Sequence, residues 1–73
     1  MNVIQDYREW KLDIEPVPAA GMYTAKATIR RRSADADDGY FSYTFKNLGV
    51  SDTPEGAIKW AADWLREWID DNS

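Results

Sequence analysis

The chain has 73 residues, and 13 Asp and Glu against 9 Lys and Arg give it a net charge of −4. It contains no Cys and no His, which excludes disulfides, removes the usual structural zinc set and takes away the commonest general base and the strongest nucleophile. The acidic balance argues against nucleic acid and anionic membrane surfaces as partners, and no apolar run approaches the roughly 20 residues of a membrane span.

This length makes one domain, 1–73, near the small end for independent folding. A core of that size rarely supplies more than about 3–5 kcal/mol without staples. Four Trp, four Tyr and two Phe answer that need, because each aromatic buries roughly 150–250 Å². The N-terminal residues carry no basic patch followed by an apolar stretch, so a signal peptide is not expected and the cytoplasm is the expected compartment.

Residues 7–15 place Trp10, Leu12 and Ile14 in alternation with Glu9, Lys11, Asp13 and Glu15. That period of two predicts a strand with one wet face. Pro16, Pro18 and Gly21 then predict a hairpin loop over 16–21. Residues 22–32 form the second expected strand. Tyr23, Ala25, Ala27 and Ile29 share one face; Thr24, Lys26, Thr28, Arg30 and Arg32 share the other. A polar segment ending in Asp38-Gly39 is a turn signal. The third expected strand spans 40–46, with Phe41, Tyr43 and Phe45 inward.

Thr53-Pro54-Glu55 is a helix start: a capping hydroxyl, a proline suited to the first position and a carboxylate that complements the dipole. The helix is expected over 54–70, with Ala57, Ile58, Ala61, Ala62, Leu65, Trp68 and Ile69 on its apolar side. Opposite charges at Glu55/Lys59, Lys59/Asp63 and Arg66/Asp70 have helical i,i+4 spacing. The fold class is therefore α+β: a three-stranded antiparallel meander with one C-terminal helix on one face. Small Ala25 and Ala27 in the middle strand let the helix lie close. Placing Trp10 opposite Ile29 pairs Glu9 with Arg30 and Asp13 with Lys26, a register in which opposite charges meet.

Little in the sequence points to chemistry. No serine stands in a motif with a base, and no phosphate-cradle or hydrolase motif occurs. Asp35, Asp37, Asp38 and Gly39 do not match a calcium loop, because the glycine comes too early and strands flank the segment. The expectation is a non-enzymatic domain with no metal, no cofactor and no small-molecule ligand implied. Two surfaces stand out. Trp60, Trp64 and Trp68 are four apart and form one slanting stripe, with Trp68 inside the apolar arc, Trp64 at its border and Trp60 further out. Trp60 and Trp64 are the candidates for binding another protein or a second copy. On the wet sheet face, Lys26, Arg30, Arg32 and Lys46 are the candidates for a weak nucleic-acid contact.

The pattern resembles a group of small uncharacterised bacterial βββα proteins classed as a domain of unknown function. The residues that carry the likeness are Trp10, Gly21-Met22-Tyr23, Thr53-Pro54-Glu55-Gly56-Ala57-Ile58 and Trp64-Leu65-Arg66-Glu67-Trp68-Ile69-Asp70. That resemblance implies a fold and no activity. Gly21, Tyr23, Thr53, Glu55 and Ala57 also resemble the HicB-like antitoxin domain, which implies an acidic antitoxin or regulatory partner of a basic protein. The Pro-Asp-Leu-Pro-Gly segment of that domain is absent, with Phe45-Lys46-Asn47-Leu48-Gly49 in its place.

Overall fold

The computed structural model describes residues 2–35, 37 and 39–72; Asp38 of the expected turn lies outside them. Four strands precede one helix: β1 Val3–Tyr7, β2 Trp10–Ala19, β3 Met22–Arg32, β4 Tyr40–Ser51 and α1 Pro54–Asp71. The strands form one antiparallel sheet in the order β1-β2-β3-β4. The α+β class and the helix on one face stand. The three-stranded meander is corrected to four strands.

β1 escapes the sequence pattern for a local reason. Val3, Gln5 and Tyr7 lie on the helix side of the sheet, and Ile4 on the open side is 63% exposed. The apolar signal is thus split between faces. The turn after it is Arg8-Glu9, with Tyr7 paired to Trp10, and contains none of the residues that usually announce a hairpin. Arg8 takes a positive φ of 50° there.

The expected loop over 16–21 is also corrected. Pro16 and Pro18 belong to β2, and only Ala20 and Gly21, at φ 51° and 80°, make the turn. Two residues with positive φ form the tight turn that matches strand twist. The prolines are tolerated because pairing fixes where backbone groups point. Ala19 and Met22 flank a two-residue turn, so odd residues of β2 bond to β3 and even ones point away. The missing N–H groups of Pro16 and Pro18 therefore face the side on which β1 has already ended at Val3↔Ile14.

That two-residue turn sets the register. Leu12 pairs with Ile29, Ile14 with Ala27, Glu15 with Lys26 and Lys11 with Arg30. The expected register, with Trp10 opposite Ile29, is wrong by two residues. Turn geometry fixes pairing more strongly than the few tenths of a kcal/mol offered by surface charge pairs.

β4 runs five residues past its expected end. Phe45 pairs with Ala27 but Leu48 pairs with Ala25, so one extra residue enters β4, and a second enters before Ser51↔Tyr23. Asn47 and Gly49 carry positive φ of 58° and 71° at these bulges. The first bulge switches parity, which turns Leu48 into the core.

The helix is capped as expected: the Thr53 side chain accepts from the Gly56 N–H at 3.0 Å, and Pro54 opens the first turn. Gly56 is required by packing. A Cβ there would collide with the Ser51 hydroxyl, which accepts from the Thr53 N–H at 3.3 Å. Ala57, Ile58, Ala61, Ala62, Leu65 and Ile69 are buried against Leu12, Ile14, Ala25, Ala27, Ile29 and Leu48. Both layers contribute short side chains to this cluster, Ala25 and Ala27 from β3 and Ala57, Ala61 and Ala62 from α1.

On its β1 side the helix is held by polar groups. Arg66 donates to Gln5 Oε1 at 3.2 Å and pairs with Asp63 at 2.6 Å. Asp70 accepts from the Tyr7 hydroxyl at 2.9 Å and pairs with Arg8 at 3.0 Å. The expected Arg66/Asp70 pair is replaced by these contacts. Asp70, unfavourable at a helix C-terminus, ties the helix to the first hairpin instead.

Candidate interaction surface

On its β4 side the helix is held by rings. Trp64 meets Phe45 edge-on at 5.2 Å, and Trp68 meets Phe45 at 5.3 Å, Tyr43 at 5.3 Å and Trp10 at 6.2 Å. Strand alternation produces this wall, because Phe41, Tyr43 and Phe45 all point to the helix side. The Trp stripe reaches it at the spacing of one helical turn. Tyr43 is still 46% exposed, and Trp64 and Trp68 are half-buried.

Trp60 is 44% exposed and lies against the bulged part of β4. Its ring occupies the space that a side chain at position 49 would need. Gly49 is thus required twice, by its φ of 71° and by that ring. Val50 beside it is 68% exposed.

The outer edge of β4 adds backbone groups to this surface. The Ser33 N–H donates to the Gly39 carbonyl at 2.9 Å where the β3–β4 pairing begins. Counting on from that pair, odd residues of β4 bond to β3 over 40–46. Ser42 and Thr44 therefore turn their N–H and C=O groups to the sheet edge. This segment has one charge and no proline, and the first bulge comes only after Phe45. The opposite edge of the sheet is treated differently: β1 has five residues, and β2 beyond it carries Pro16 and Pro18. Short strands and prolines are how sheets discourage further pairing. One edge has both, and the other has neither between 40 and 46.

The open sheet face gathers only part of its expected set of cations. Arg30 and Arg32 line a shallow cavity of about 420 Å³ with Lys11, Glu9 and Tyr40. Lys26 lies apart from them, among Asn2, Asp13, Glu15 and Thr28, and Lys46 makes no ion pair among the described residues. Glu9 stands among the first group, and Asp13 and Glu15 stand beside Lys26. Lys11 is the member that sequence reasoning did not place there, because its position follows from the corrected register.

The chain matches no protein-family model, no curated protein and no solved structure. The helix is not apolar enough to cross a membrane.

Proposed function

We propose that this is a non-enzymatic self-association domain in which residues 40–46 of β4 pair with the same segment of a second copy. The observation that carries the reading is the unblocked β4 edge beside a half-exposed aromatic wall. Antiparallel pairing about Tyr43 sets Ser42 against Thr44 of the second copy and Tyr40 against Lys46. The outward N–H and C=O groups of Ser42 and Thr44 then exchange hydrogen bonds. No like charges oppose one another, and the lone Lys46 meets a tyrosine ring. On the helix side Tyr43 meets its own counterpart, and Phe45 with Trp64 above it meets Phe41. Trp60 sits at the rim of this contact.

A two-fold axis through the Tyr43 pair makes the contact isologous and closed, so pairing stops at two copies. Sedimentation equilibrium across the micromolar range tests the reading. The expected result is a species of twice the 8.4 kDa chain mass. Trp60→Ala is expected to weaken the association only a few-fold, as rim residues do. A single-chain mass at every concentration contradicts the proposal.

A further inference from the structure

One cation stands within the aromatic wall. Arg31 takes an inward position on β3, opposite Phe41 on β4 and Trp10 on β2. Its guanidinium carbon lies 5.2 Å from the Trp10 ring centre and 5.5 Å from that of Phe41. Ring faces attract a cation but do not satisfy its N–H donors as an oxygen acceptor would. Its Nε is buried without a hydrogen-bond partner, and no carboxylate pairs with it among the described residues. Of the carboxylates at this end of the helix, Asp70 is held by Arg8 and Tyr7, and Asp71 lies with Trp64, Glu67 and Trp68.

Beside Arg31 is a cavity of about 210 Å³ whose walls include Trp10, Phe41, Tyr43 and Trp68. It is below the roughly 300–1,000 Å³ of pockets for drug-sized ligands, and so takes one ring or one side chain. Glu9 stands on the other side of Arg31, and the chain carries −4 overall; both oppose an anion of more than one charge.

We propose that this cage binds a singly charged carboxylate attached to a flat apolar group. The apolar group lies against the rings, and the carboxylate accepts hydrogen bonds from the Arg31 guanidinium, whose fork matches it. Two sources share that chemistry: a free aromatic acid and the C-terminal residue of a peptide. The site is built by one chain, and because Phe41 and Tyr43 also stand in the proposed β4 contact, binding measured at concentrations where the chain is a single copy tests the site apart from the pairing.

Titration of the intact protein with benzoate, benzamide and an acetylated dipeptide ending in phenylalanine tests the proposal, read by tryptophan fluorescence and by the Trp10 indole N–H resonance. Saturable binding of benzoate that shifts the Trp10 signal is expected. Benzamide, which has the same shape without the charge, should bind at least about tenfold more weakly. Arg31→Lys should weaken benzoate by about tenfold, because an ammonium lacks the paired donors. Stronger binding of the dipeptide than of benzoate assigns the peptide terminus as the source, and the reverse assigns the free acid. Equal binding of benzoate and benzamide, or no saturable binding of either acid, overturns the site without reference to any variant.

Discussion

Leu65→Ala is expected to remove most of the folding stability of the domain at 25 °C. Leu65 is fully buried at the centre of the helix face. Removing its side chain forfeits the transfer energy of the lost carbons and leaves a cavity, at a cost of about 2–5 kcal/mol. The neighbours are poorly placed to collapse into that space. Ala25, Ala27, Ala61 and Ala62 are short side chains, and filling the gap would require the helix itself to move. A core of this size rarely supplies more than about 3–5 kcal/mol, so one such change takes most of it. Far-ultraviolet circular dichroism during urea denaturation reads the outcome. A cooperative transition within about 1 kcal/mol of the parent would contradict this account of the core.

Ser42→Pro is expected to abolish self-association while leaving the chain folded. The Ser42 N–H points to the free edge, so a proline there removes no bond to β3. The Ser42 side chain makes no hydrogen bond to another described residue. In the proposed pair each copy loses one donor to Thr44 of the other, and both facing carbonyls are left unsatisfied. At about 1–3 kcal/mol for each such group, the affinity falls by at least about thirtyfold. Tyr43→Pro makes the contrast. Its N–H belongs to the β3–β4 ladder, so that change should destabilise the fold itself. Sedimentation and circular dichroism on the two variants separate the effects. Equal association of Ser42→Pro and the parent would show that the edge is not the contact.

The parts of the fold legible in the sequence are those where one physical signal dominates. Thr53-Pro54-Glu55 marks the helix start because cap, proline and charge agree, and β3 follows from the alternation of Tyr23, Ala25, Ala27 and Ile29 with Thr24, Lys26, Thr28 and Arg30. The failures share a cause. β1, the Pro16 and Pro18 segment and the end of β4 are all places where pairing overrides local composition. Proline reads as a strand breaker unless the missing donor faces an edge, and that depends on where β1 stops. Asn47 and Gly49 read as a loop, whereas they form bulges that carry the strand on to Ser51.

The interaction surface was half legible. The helical spacing of Trp60, Trp64 and Trp68 gave the stripe. The edge groups of Ser42 and Thr44 depend on strand order, which no residue pattern displayed. Trp60, the most conspicuous candidate from spacing, is largely accounted for by its seat on Gly49. Arg31 carried a readable sign: its odd position on β3 set it with Ala27 and Ile29 on the inward side, where an arginine needs a reason.

Self-pairing about Tyr43 is tested most directly by a cross-link at the proposed axis. The chain has no cysteine, so a single introduced thiol reports without background. Tyr43 would face its counterpart as a non-hydrogen-bonded pair, with Cα atoms about 4.5 Å apart, within the range a disulfide spans. Phe41 would face Phe45, which leaves the two Phe41 positions about 13 Å apart along the strands. Under mild oxidation Tyr43→Cys is expected to form a disulfide-linked dimer rapidly, and Phe41→Cys far more slowly. Equal rates for the two, or no cross-link at position 43, would contradict the account.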